Sequence, residues 1–205
     1  MAEFLKNVAR RSKARSKTFS KNQDGATAIE FALVALPFFA LIFAIIELAI
    51  IFFISSALNN ATSEAGRLIR VGQFQDCGGG ARFKELVCEN MDQLGNCQAN
   101  LRVDVISEPK FSDITIPDTT QLVDDGIVDG LNTKVADVGQ FDEAPASTPV
   151  IIQSTFFYRL ALPTQLTRLE SSPGSNIRIL KSTTAFQTEP FPPSSACPPS
   201  PDDED

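Results

Sequence analysis

Histidine is absent from this 205-residue chain, and with it go the commonest general base and the usual catalytic triads. Also missing are a phosphate-cradling glycine loop, a nucleophile elbow and any regular metal-ligand spacing. The chain is therefore predicted to carry no catalytic residue, no cofactor and no metal; the irregularly spaced cysteines, without histidine, do not read as a zinc site. Basic clusters are equally scarce. The one that exists occupies the first 24 residues, where topology explains it, so nucleic-acid binding is excluded as well. Cysteine is missing from the N-terminal third, and Cys77, Cys88, Cys97 and Cys197 all follow it. Charge is nearly absent between Phe31 and Ile54, a run of 24 residues whose only ionisable side chain is Glu47.

What is present divides the chain by charge. Residues 1–24 carry seven lysines and arginines against Glu3 and Asp24, a net +5, which leaves −12 for the rest of a chain of net charge −7. These opposite signs flank the uncharged run. As a helix rising about 1.5 Å per residue, that run would reach about 36 Å, enough to cross a hydrocarbon core of about 30 Å with tilt. It is too long for the apolar region of a secretory signal peptide, usually about 7–15 residues. The positive-inside rule then puts the basic head in the cytoplasm and the acidic body across the membrane. An even number of cysteines, all beyond the span, suits an oxidising compartment and predicts disulfides. Four cysteines allow three pairings, and spacing does not choose among them.

Pro37 removes one backbone donor in the first half of the span and predicts a kink there. Beyond Ser55, small or apolar residues at intervals of three and four from Ala57 to Ile69 continue the helix to about Arg70, and Gly72 offers a C-terminal stop. That stripe either packs on the chain's own soluble domain or meets other helical subunits. Residues 73–192 read as one small domain. Gly78, Gly79 and Gly80 are predicted to form a flexible joint, followed by a short amphipathic helix through Phe83, Leu86 and Val87 to about Leu94. Strands are predicted at Leu101–Ile106, Val150–Leu160 and Ile177–Phe186. The acidic stretch 107–149 reads as a long loop outside the core, with a solvated turn near Asp124 and Asp125. Residues 193–205 form a Pro-rich acidic tail with too little apolar content to build a core.

The segment GATAIEFALVALPFFALIFAIIELAIIF followed by ALNNATSEAGRLIRVGQ resembles the TadE-like family of tight-adherence pilus proteins, which are pseudopilins. FKELVCENMDQLGNC, LRVDVI, VIIQSTFFYRLALP and the late TAFQTEPF resemble the periplasmic region of the same family in order and spacing. The resemblance implies a pilin-like α+β fold: residues 1–25 a cytoplasmic leader, residues 26–72 a transmembrane and amphipathic helix, and residues 73–192 a periplasmic domain with a small antiparallel sheet. It further implies a minor pilin or pseudopilin of a bacterial type IVb system, held in the inner membrane and cut by a prepilin peptidase between Gly25 and Ala26. Its partners would be that peptidase, other pilins and the assembly platform. The alternative is an uncleaved single-pass scaffold or periplasmic binding module.

Within that resemblance each residue takes a role. Gly25 has no side chain to keep a peptidase from the scissile bond. Glu30 would be the fifth residue of the mature chain and Phe31 the sixth, with the Glu30 carboxylate pairing with a neighbouring subunit's new terminal amine. A carboxylate at the bilayer edge is a functional candidate in any case. Glu47 lies past the middle of the predicted span, where a bare carboxylate costs on the order of 2–3 kcal/mol. The family often carries an acid there, and contact with another transmembrane helix is the expected role, a solvated outer position the alternative. Family spacing also favours a Cys88–Cys97 disulfide, leaving Cys77 to join Cys197.

Overall fold

A computed structural model describes residues 26–74, 79–92, 94–124 and 139–191. By its contacts the chain divides at Glu47, residues 1–46 forming one unit and residues 47–205 the other. The boundary falls inside a single helix, α1, which runs 45 residues from Ala26 to Arg70 and passes without a break through Pro37. In the first unit α1 is the only described element, and its large apolar side chains are exposed from Ile29 to Ile46.

In the second unit one stripe of α1 is buried: Glu47, Ile51, Ile54, Leu58, Ala61, Ala65 and Ile69. Each is three or four residues from the next, so they stack on one face of the helix. Three antiparallel strands cover that face in the order β1 (Leu101–Ser107), β2 (Pro149–Arg159), β3 (Ile177–Gln187). The register sets Val105 opposite Ile152 and Ile152 opposite Thr184, so Leu101, Val103, Val105, Val150, Ile152, Phe156 and Leu180 share the face that packs on α1. Gly66 marks the closest approach, since a Cβ there would lie 3.2 Å from Ile152 Cδ1. A glycine inside a helix costs about 1 kcal/mol relative to alanine, and the narrow gap to the sheet accounts for it here.

The covered helix segment and the two longer strands, β2 and β3, match in length. The 23 rises from Glu47 to Arg70 reach about 35 Å, and an 11-residue strand spans a similar distance at about 3.4 Å per residue. The helix ends by a Schellman arrangement: Gly72 adopts φ +75°, its N–H donates to Ile69 O at 3.1 Å, and Gln73 N–H donates to Leu68 O at 2.9 Å. Phe191 lies so closely against Gly72 that a Cβ there would collide with its ring.

A second helix, α2 (Gly79–Asn90), buries Phe83 and Val87 one turn apart. The Cys88–Cys97 disulfide, with Cα atoms 5.6 Å apart, ties it to the helical turn that leads into β1. That is the pairing family spacing favoured; Cys77 and Cys197 lie outside the described residues, as does the tail 193–205. Two expectations need correction. Gly79, at φ +64°, opens α2 and Gly80 lies in its first turn rather than in a joint, with Gly78 outside the described residues; a Cβ on Gly80 would press on Phe141 Cβ at 3.1 Å. The acidic stretch 107–149 also contributes to the core. Val123 packs with Phe157 and Ile177 on the outer face of the sheet. Residues 140–142 hydrogen-bond along β1, with Val105 N–H donating to Gln140 O at 2.8 Å and Asp142 N–H to Val105 O at 2.9 Å, which covers that edge. The predicted turn at Asp124 and Asp125 lies largely outside the described residues.

The covered and bare faces of α1 predict opposite responses to truncation. Leu58→Ala, at a fully buried position, should destabilise the domain by about 2–5 kcal/mol in chemical denaturation, whereas Phe53→Ala, 62% exposed, should leave its midpoint unchanged.

Candidate functional site along the N-terminal helix

The residues proposed from sequence fall on α1 at two separate places. Ala26 is the first residue of the helix, with Gly25 just outside the described residues. Glu30 and Phe31 lie in the next turn and are exposed, Phe31 at 72%. The described residues therefore offer Glu30 no partner within the chain.

Glu47 is in the opposite situation. Only 3% exposed, its carboxylate accepts hydrogen bonds from two successive backbone amides, Ala161 N–H at 2.5 Å to Oε1 and Leu162 N–H at 3.3 Å to both oxygens. The expected contact with a second transmembrane helix is thus replaced by a contact inside the domain, and the solvated alternative is excluded by burial. Charge-assisted bonds of this kind are shorter and stronger than neutral ones. The two amides lie just beyond the end of β2.

Tyr158 lies near this carboxylate. Burial raises its phenol above the ordinary value of about 10, and the negative charge of Glu47 raises it further.

The far end of the covered helix segment is held by the chain that follows β3. Glu189 N–H donates to Arg70 O at 2.8 Å, satisfying a terminal carbonyl of α1, and the Arg70–Glu189 side-chain pair at 3.6 Å is exposed and contributes little. Thr188 Oγ1, in a nearly buried residue, donates to Pro145 O at 2.6 Å and accepts from Thr148 N–H at 2.8 Å. Midway, Ser182 Oγ donates to Asn59 Oδ1 at 3.1 Å. The closing TAFQTEPF motif is therefore a clamp on the helix terminus. Sequence reasoning singled out that motif, and VIIQSTFFYRLALP with its Ala161 and Leu162, without the role of either. The contribution of Ala161 and Leu162 comes through backbone N–H groups that no side-chain pattern announces.

A family model described as TadE-like protein matches residues 25–67. Over that stretch the N-terminal helix is similar to this family. The matched stretch is about a fifth of the chain and contains Gly25, Glu30, Phe31, Glu47 and nearly all of the buried stripe. No curated protein and no solved structure matches the chain. Length and composition qualify this helix as a candidate membrane span.

Two outcomes follow from the Glu47 contact. Glu47→Ala removes the acceptor of two amides and should destabilise the domain by about 1–3 kcal/mol, with Glu47→Gln losing less, as measured by denaturant unfolding. Tyr158 is the only tyrosine, so phenolate absorbance reports it alone. It should ionise at higher pH in the folded than in the unfolded protein, and Glu47→Gln should lower the folded value. Because the folded value is the raised one, the associated stability is complete below the unfolded pKa near 10 and is lost as pH rises through the folded pKa.

Proposed function

We propose that this chain is a minor pilin or pseudopilin of a bacterial tight-adherence (Flp, type IVb) pilus assembly system, processed by a prepilin peptidase between Gly25 and Ala26. The observation that carries the proposal is the TadE-like match, which starts at Gly25 and runs along a helix able to cross a membrane. In this reading the protein is anchored in the inner membrane, with its basic head cytoplasmic and its domain periplasmic. The change from +5 in the leader to −12 beyond it supports that orientation, and the Cys88–Cys97 disulfide supports the oxidising compartment.

Cleavage would convert Ala26 into a free amine close to Glu30. A neighbouring subunit's amine is then the natural counter-charge for an exposed carboxylate at the membrane edge, where an unpaired acid is costly. Phe31 would follow as an apolar anchor. The role is structural, with the chain a substrate of the peptidase and a partner of other pilins and of the assembly platform.

N-terminal sequencing of membrane-extracted protein should return Ala26 as the first residue, and Gly25→Ala should leave the leader attached. Glu30→Ala should be cut as before yet fail to support surface pili. An intact leader on the wild-type protein would favour the uncleaved scaffold instead, and normal piliation by both variants would remove the assembly role.

A further inference from the structure

The Glu47 contact fixes a loop at one height on α1. Ala161 and Leu162, whose amides it holds, open the connection between β2 and β3. The helix runs for 21 residues from Ala26 to Ile46 before that point, about 31 Å at 1.5 Å per residue. The hydrocarbon core of a bilayer is about 30 Å thick. Irregular backbone exposed to lipid does not occur within that core. If the helix crosses a membrane, the hydrocarbon must therefore end near Glu47, not at Ile54 as the apolar run suggests, and the β2–β3 connection sits immediately outside it.

The composition of this connection fits that position. Ala161 and Pro163 are exposed and Leu162 half-exposed, giving a small apolar tip. On either side stand Arg159 and Arg168, both exposed and neither in an ion pair among the described residues. In a body of net charge −12 that pattern is out of character. Elsewhere in the domain Arg67, Arg70, Arg82 and Arg102 each stand beside a carboxylate, and Arg178 donates to Leu169 O at 3.2 Å. Guanidinium groups at a membrane surface find phosphate oxygens as bidentate acceptors.

We propose that the β2–β3 connection, residues 159–168, is a membrane-contact surface that rests in the headgroup layer, with Arg159 and Arg168 binding phospholipid phosphates. This rests on the membrane anchoring in the proposed function.

The chain has no tryptophan, so a single introduced one reports without background. Full-length Phe43→Trp, Pro163→Trp and Ala146→Trp would each be reconstituted in phosphatidylcholine–phosphatidylglycerol vesicles carrying lipids brominated either deep or shallow on the acyl chain. Emission from Phe43→Trp should be quenched by deep bromine, and that from Pro163→Trp several-fold more by shallow than by deep bromine. Ala146→Trp, beyond the other end of β2, should be quenched by neither. Ala161→Trp provides a second loop reporter should Pro163→Trp fold poorly. Adding Arg159→Gln and Arg168→Gln should reduce the shallow quenching by at least half. Quenching of Phe43→Trp with both loop reporters silent, as when another protein covers the loop, would overturn the contact while leaving the anchor in place. Silence from Phe43→Trp would remove the anchor itself, and shallow quenching indifferent to the two arginine changes would overturn phosphate binding.

Discussion

The structure depends on covering one stripe of a helix that is too apolar to stand alone in water. From Ile51 to Ile69 that stripe presents Ile, Leu and Ala at intervals of three and four, and a three-stranded sheet would be marginal without it. Each element supplies the other's missing surface. β2 and β3 are as long as the stripe, so the sheet reaches both ends of the helix segment it protects. At one end it meets an acid, Glu47, and at the other the carbonyl of Arg70.

This explains why a carboxylate persists inside an otherwise uncharged run. Burying it alone would be costly, but two adjacent amides just beyond the end of β2 donate to it. The acid terminates the sheet and sets its height on the helix. The same economy holds within the domain, where the buried Arg102 and Asp104 pair through two bonds of 2.6 and 2.7 Å, and Asp104 also accepts from Gln140 N–H. Such a pair is worth less for stability than for register, since it holds the segment that closes the edge of β1.

Much of the fold was legible because its signals are periodic. The three strands fall within a residue or so of their predicted limits, since branched and aromatic runs bounded by Gly, Pro and Asn specify extended segments. Gly72 ended the helix where a left-handed residue was needed. The site was less legible. Glu30 and Phe31 are visible through a motif, whereas the partner of Glu47 is backbone 114 residues away, and backbone donors look alike in every sequence. The glycine run misled for a related reason. Glycine signals freedom or close approach equally well, and at Gly80 the ring of Phe141 decides for close approach. Val123 escaped notice because one valine among aspartates carries no period.

The clamps at Glu47 and Arg70 have a mechanical consequence. A pull along the axis of α1 is borne in shear by both clamps and by every side chain of the stripe at once, so these contacts share the load instead of parting one after another. A pull across the axis would peel them singly. Traction on the helix therefore carries the sheet along with it, and the molecule resists being drawn lengthwise far better than being pried apart sideways.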